Sequence, residues 1–258
     1  MSLVPFVHLD VELGHARVGD RVALSTAEQH HLTRVLRLPA GARVEVTDGR
    51  GAVAEATLGG DAVELAGPVR REPARTPRLA VAQALPKGRK LDEVVRQVTE
   101  LGADAVIPVL AERSIARPPS ERTGKLRTRA QAVARAAAEQ ARSPWRTTVA
   151  PVIDTASLAD VVADAAPPGA REALLVAHLD APALPVVLAS LAPLERLTIA
   201  IGPEGGWSDA EVARLRADGA VVVGLGGTVL RTEHAAAAAV AVISAWLGRW
   251  GSPAGPDG

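Results

Sequence analysis

The sequence predicts an α/β protein in which a small β-barrel module precedes a parallel sheet, and three observations carry that expectation. From Leu79 to Trp250, short apolar runs alternate with segments of helical periodicity, the pattern of strands covered on both faces by crossover helices. Residues before about 70 instead show short strand-like runs separated by Gly14, Gly19–Asp20, Gly41, Asp48–Gly49 and Gly59–Gly60. Between the two regimes lies Glu72–Pro77, EPARTP, a polar stretch bounded by prolines. The expected division is a β module over 1–72, a linker over 73–78, an α/β domain over 79–250 and a flexible tail over 251–258.

Within the first module, Arg43–Thr47 and Ala52–Leu58 flank Asp48–Gly49–Arg50–Gly51 and predict a hairpin. One helix interrupts the strands: Ser25 can cap it, Glu28 follows at capping-box spacing, and His30, His31, Arg34 and Arg37 continue it toward Pro39. In the second region Leu79–Leu85 predicts a buried strand. Leu91, Val94, Val95, Val98 and Leu101 then recur at helical spacing until Gly102. Further strands are expected over Ala105–Leu110, Thr147–Ile153, Ala173–Ala177, Leu197–Ile201 and Ala220–Val223. Helices are expected over Glu121–Arg142, Leu158–Ala165, Ala183–Leu191, Asp209–Asp218 and Glu233–Trp250.

Composition narrows the function. Formal net charge is zero, which disfavours a whole-chain electrostatic nucleic-acid binder, but charge is unevenly spread. Residues 79–142 carry twelve Lys/Arg against seven Asp/Glu, and residues 143–258 the reverse excess, seven against twelve. The basic excess reads equally well as a solvated helix face or a nucleic-acid contact. The chain has no cysteine, which excludes disulfides, zinc–thiolate sites and a thiol nucleophile. No apolar run approaches the roughly 20 residues of a membrane span; the longest is Ala235–Ile243. Met1–Asp10 lacks a basic-then-apolar leader, and a cytoplasmic location is expected. His30 and His31 make a poor metal pair, because adjacent helical residues diverge and no further ligand cluster stands near; no metal is expected.

The chemistry-bearing features are two glycine loops. Leu197–Ile201 runs directly into Gly202–Pro203–Glu204–Gly205–Gly206, after which Ser208 and Glu211 form a second capping box. Ala220–Val223 ends in Gly224–Leu225–Gly226–Gly227. Both loops sit where open α/β sheets bind ligands, at the carboxyl ends of strands, and glycine lets backbone approach a ligand closely. Neither is a GxxxxGK phosphate cradle nor a G-x-G-x-x-G dinucleotide turn. Backbone N–H and C=O groups in apolar surroundings suit an adenine edge and a thioether better than a pyrophosphate. Tight connecting turns are the alternative for either loop alone.

IGPEGG followed by SDAE, with LGGTVLRTEHA after it, resembles the two C-terminal signatures of the RsmE family, whose members methylate N3 of a uridine in 16S ribosomal RNA. PKGRKLDEVVRQVTELGADAVIPVLAERS (Pro86–Ser114) is similar to that family's first βαβ unit, AAAEQAR (Ala136–Arg142) to its Glu-Gln helix, and HHLTRVLRLPAGARVEVTDGRG (His30–Gly51) to its PUA-like domain. The likeness runs in order along nearly the whole chain. It departs at Val4–Phe6, where the family commonly has an Arg, and at Gly227–Thr228, Ala141 and His234.

The resemblance implies a SPOUT-type parallel sheet with a C-terminal trefoil knot, preceded by a PUA-like β-barrel RNA-binding domain. It also implies S-adenosyl-L-methionine as cofactor, a homodimer, and 16S rRNA in the small ribosomal subunit as partner. The implied cofactor-binding residues are Val176, Ala177 and His178; Ile201, Gly202, Glu204, Gly205 and Gly206; and Leu225, Gly226, Val229 and Leu230, with Leu225 and Leu230 packing on the adenine. RNA contacts are expected from His30, Arg34, Arg37, Lys87, Lys90, Arg113 and Arg122. Uracil N3 is a poor nucleophile while protonated, so the site must remove that proton or stabilise the anion it leaves. Arg231 is the first candidate for the stabilising cation and Arg142 the second; Glu139, Glu233 or solvent are the candidate bases. Trp145, Trp207, Trp246 and Trp250 are candidates for base stacking, though for the last two, four apart on the closing helix, packing or dimer contact is the better reading. Two other readings remain: a SPOUT methyltransferase acting on another RNA site, and a non-catalytic RNA-binding protein of ribosome assembly.

Overall fold

A computed structural model describes residues 4–165 and 169–250; the expected tail over 251–258 lies outside these. The chain forms two compact units, Met1–Ala74 with Ala138–Arg146, and Arg75–Ala137 with Thr147–Gly258.

The first unit is built on β1 (Phe6–His8), β2 (Arg21–Ala23), β3 (Arg43–Thr47), β4 (Ala52–Leu58), β5 (Ala62–Leu65) and β6 (Arg70–Arg71). They form one sheet in the order β1-β3-β4-β5-β2, with β6 also on β4, and only the β1–β3 pair is parallel. The expected hairpin is β3–β4, and Asp48 builds its turn by accepting from the N–H groups of Arg50 at 2.7 Å and Ala52 at 3.2 Å. Helix α1 (Thr26–His30) opens on the capping box of Ser25 and Glu28. It is shorter than expected: the chain passes into a π-helical turn over His31–Val35 and then to Arg37 with φ of 55°.

The return of Ala138–Arg146 to this unit is not visible in a linear reading of domains. Glu139 accepts from the backbone N–H of His8 at 3.1 Å. Arg142 pairs with Glu45 and lies 5.3 Å from the centroid of the Phe6 ring. Trp145 lies so close to Gly51 that a Cβ there would come within 2.5 Å of the indole.

The second unit contains β7 (Arg78–Ala84), α2 (Lys90–Glu100), β8 (Ala105–Leu110), α3 (Ser120–Gln140), β9 (Thr148–Val149), β10 (Ile153–Asp154), α4 (Leu158–Asp164), β11 (Glu172–Ala177), α5 (Leu184–Ser190), β12 (Arg196–Ile201), α6 (Asp209–Ala217), β13 (Val221–Val223) and α7 (Thr232–Trp246). The last residues of α3 belong to the first unit. The sheet is wholly parallel in the order β10-β8-β7-β12-β11-β13, with β9 also on β8. Alternation along β7 shows how both faces are buried: Leu79, Val81 and Leu85 join the core beneath α2, α5 and α7, while Ala80, Ala82 and Ala84 join the core containing Trp207, Leu158 and Leu215. The strand expected over Thr147–Ile153 is instead two short ones. The break falls at Pro151 and opposite Pro108 of β8, two residues with no N–H for a ladder.

At the opposite end of the sheet from the strand carboxyl ends, Asp104 collects a buried polar cluster. It accepts from the N–H of Leu79 at 2.7 Å and from Arg249 at 3.2 Å. Arg249 also donates to the carbonyls of Gly102 and Pro77. Burial holds the Arg249 guanidinium below its usual pKa, opposed by the charge of Asp104. Removing one member strands the other in the interior. Arg249→Ala is therefore expected to lower stability by about 3 kcal/mol in urea denaturation; a loss near zero would show that the cluster is not an integral part of this unit.

Candidate active site

Three glycine-bearing or apolar loops meet because β12, β11 and β13 are neighbours in register. Val176 of β11 aligns with Ala200 of β12 on one side and Val222 of β13 on the other, so the three strands end level. The N–H of His178 extends the β11–β13 ladder by donating to Val223 at 2.9 Å. Beyond it, Gly224 donates to Pro182 at 2.8 Å and accepts from Leu184 at 2.9 Å, which fastens the loop after β11 to the loop after β13. A Cβ on Gly224 would lie 2.6 Å from the Ala181 carbonyl, so only glycine permits that approach.

The Gly202–Gly206 loop after β12 is held from several sides. Gly206, with φ of 68°, closes a turn by donating to Pro203 at 2.8 Å. Arg113 donates to the carbonyls of Gly205 and Trp207, each at 3.2 Å. Trp207 is buried under Gly202, where a Cβ would stand 3.2 Å from the Trp207 nitrogen and 3.3 Å from its ring. The Thr232 hydroxyl donates to the Gly202 carbonyl at 2.7 Å. Glu204 accepts from the Lys87 backbone N–H at 3.1 Å and lies 3.6 Å from the Lys90 ammonium.

Lys90 also pairs with Glu233 at 3.1 Å. Burial by itself would raise the Glu233 carboxyl; its own backbone N–H, the Lys90 hydrogen bond and the Lys90 charge outweigh that and leave its pKa below the ordinary value. A carboxylate so stabilised is a weak base. Arg231, at the N-cap position of α7, is exposed and makes no side-chain hydrogen bond or ion pair among the described residues.

The second unit thus brings together all twelve residues expected to bind cofactor. Val176 and Ile201 are buried at strand ends, Leu225 and Leu230 pack partly on the core beneath α7, and Gly226, with φ of 126°, and Val229 are exposed. Of the expected catalytic residues, Arg231 belongs to the second unit and Glu139 and Arg142 to the first, where both have structural partners. Among the expected RNA contacts His30, Arg34, Arg37, Lys87 and Arg122 are exposed, whereas the charges of Lys90 and Arg113 are engaged with the loops just described. Of the tryptophans, Trp207 is buried and Trp145 half-buried, which removes them as free stacking platforms; Trp246 and Trp250 are exposed. Gln83 carried no motif signal, though a glutamine inside an otherwise apolar strand is itself a mark; Thr232 lies within the LGGTVLRTEHA signature but had no role assigned to it. Among the described residues no cluster of three or more metal-ligating side chains occurs, and no helix is long and apolar enough to cross a membrane.

These features define a class of protein. The family described as "RNA methyltransferase domain" matches residues 73–244, and the "RNA methyltransferase PUA domain" matches residues 24–65. The chain is 35% identical over 229 residues to the ribosomal RNA small subunit methyltransferase E of Synechocystis sp., covering 88% of this chain and 73% of that one. Its likeness to the enzyme of the same name from Mycobacterium bovis is also 35%, over 88% of this chain and 87% of that one. A crystal structure of ribosomal RNA small subunit methyltransferase E from Neisseria gonorrhoeae, bound to S-adenosyl methionine, superposes with a TM-score of 0.80 at 26% identity, covering 94% and 98% of the two chains. The chain belongs to the ribosomal RNA small subunit methyltransferase E family of RNA methyltransferases.

The Lys90–Glu233 pair gives a pH-dependent test. Lys90→Met leaves a buried carboxylate without its cation and is expected to cost on the order of 2 kcal/mol at pH 7. Because the native Glu233 pKa is lowered, its contribution is present above the ordinary carboxylate range and lost as pH falls through the native value. Wild type and variant should therefore converge in urea denaturation as pH drops below about 4. A difference independent of pH would show that the pair is not electrostatically coupled to folding.

Proposed function

We propose that this protein transfers a methyl group from S-adenosyl-L-methionine to N3 of a uridine in 16S ribosomal RNA, acting in the cytoplasm on RNA of the small ribosomal subunit. The observation that carries the reading is the level meeting of three loops at the ends of β12, β11 and β13. Their donors are largely backbone groups, their side chains largely aliphatic apart from His178 and Glu204, and a Cβ on Gly202 would crowd the Trp207 ring at 3.3 Å. This set fits an adenosine edge and the apolar flanks of a sulfonium and offers no phosphate cradle. Val176–His178, Ile201–Gly206 and Leu225–Leu230 would hold the cofactor, with the second unit carrying a trefoil knot and a second copy completing a homodimer. The family relatives and the cofactor-bound neighbour from Neisseria gonorrhoeae support the same assignment.

When bound, the cofactor supplies an electrophilic methyl group on a sulfonium. The protein's part is to orient the base and stabilise the charge that N3 deprotonation leaves on the uracil oxygens. Arg231 is the residue assigned to that charge, because its guanidinium is exposed beside the loops and unpaired among the described residues. Glu233, held anionic by Lys90, is a poor proton acceptor, which leaves solvent as the route for the proton. The exposed His30, Arg34, Arg37, Lys87 and Arg122 supply phosphate contacts.

Two measurements test this. Mass mapping of 16S rRNA from cells lacking the gene should show loss of one N3-methyluridine and its return on complementation; an unchanged modification overturns the substrate assignment. Arg231→Ala should lower kcat about 100-fold while cofactor affinity stays within about threefold. An undiminished kcat removes Arg231 from the mechanism.

A further inference from the structure

Gln83 is fully buried near the carboxyl end of β7, on the face that otherwise carries Leu79, Val81 and Leu85 into the core. Its amide nitrogen donates to the Thr232 hydroxyl at 2.9 Å and to the Ala84 carbonyl at 2.8 Å. The Thr232 hydroxyl donates in turn to the Gly202 carbonyl at 2.7 Å. The direction of this relay is forced. A carbonyl can only accept, so the single hydroxyl proton of Thr232 is committed to Gly202, and Gln83 must present its nitrogen to the hydroxyl oxygen. The cost is visible at the other end of the amide, where Gln83 Oε1 is buried with no hydrogen-bond partner among the described residues.

A buried amide left half-satisfied in an apolar strand contributes little as packing. What it does is join three elements: the end of β7, the first residue of α7 and the first residue of the loop after β12. We infer that Gln83 and Thr232 are positioning residues that fix the Gly202 carbonyl, and with it the Gly202–Trp207 loop, in the geometry that receives the methyl donor. The inference rests on the functional reading above for its ligand, but its structural half does not.

The test uses the full chain and four proteins: wild type, Thr232→Val, Thr232→Ser and Gln83→Leu. Thr232→Val preserves shape and removes the donor; Thr232→Ser keeps the hydroxyl. Amide hydrogen exchange of the unliganded proteins is read over the peptide spanning Ile201–Trp207. Exchange there should quicken about tenfold or more in Thr232→Val and Gln83→Leu and return toward wild type in Thr232→Ser. Unchanged exchange in both variants overturns the inference whatever the ligand does. Calorimetry with S-adenosyl-L-methionine should then show about 10- to 100-fold weaker binding in Thr232→Val, about three- to tenfold weaker in Gln83→Leu, and rescue in Thr232→Ser, with kcat at saturating cofactor far less affected than KM. Wild-type binding matched by Thr232→Val overturns this inference alone. Failure of the wild type to bind overturns the functional reading instead, and the exchange data still decide whether the relay holds the loop. Should Thr232→Val fail to fold, Gln83→Leu and Thr232→Ser carry the same comparison.

Discussion

The parallel register of β12, β11 and β13 is the constraint on which the rest of the site depends. Side chains and loops at a strand's end are only as well placed as the strand itself, and here the three ends are aligned by main-chain ladders buried on both faces. The loops beyond need no rigid secondary structure of their own. They inherit position from the sheet and are trimmed by a few bonds: Gly224 between Pro182 and Leu184, Gly206 onto Pro203, Thr232 onto Gly202. Within these loops glycine matters where backbone or indole approaches within a Cβ's reach, at Gly224 and Gly202.

Charge organises what the ladders leave open. Lys90, from the start of α2, reaches two carboxylates, Glu204 on the loop after β12 and Glu233 in the first turn of α7. One cation thereby ties the segment after β7 to the segments after β12 and β13. The neutral total of the chain conceals this, because the basic excess of residues 79–142 partly meets the acidic excess of residues 143–258 inside the second unit. A basic stretch that reads in sequence as a nucleic-acid contact is thus divided. Lys90 and Arg113 are occupied by the loops, while Lys87 and Arg122 remain exposed.

What was legible in the sequence followed from local rules. The Ser25 and Ser208 capping boxes, the hairpin over Asp48–Gly51 and the strand running into Gly202 are set by residues a few positions apart, and all occur as expected. The expectations that changed depend on partners distant in sequence. The return of Ala138–Arg146 to the first unit requires Glu139, Arg142 and Trp145 to find His8, Glu45 and Gly51, more than 90 positions away. The split of the strand expected over Thr147–Ile153 depends on Pro108 in a neighbouring strand as well as on Pro151. Trp207 reads as a possible stacking residue until the fold buries it beneath Gly202.

The arrangement of Arg231, Thr232 and Glu233 separates three tasks among three consecutive residues. Glu233 is buried and spent on Lys90, so its carboxylate is too well stabilised to take a proton. Thr232 is buried and spent on Gly202. Only Arg231 faces outward, because as the N-cap residue its backbone is still extended, with φ of −63° and ψ of 149°, while the two residues after it have entered the helix. The turn of the chain into α7 therefore presents a cation and conceals an anion. On the proposed reading that favours a mechanism in which the uracil oxygens are stabilised as negative charge develops, with the proton passing to a weak acceptor, over one driven by a strong protein base at this helix end.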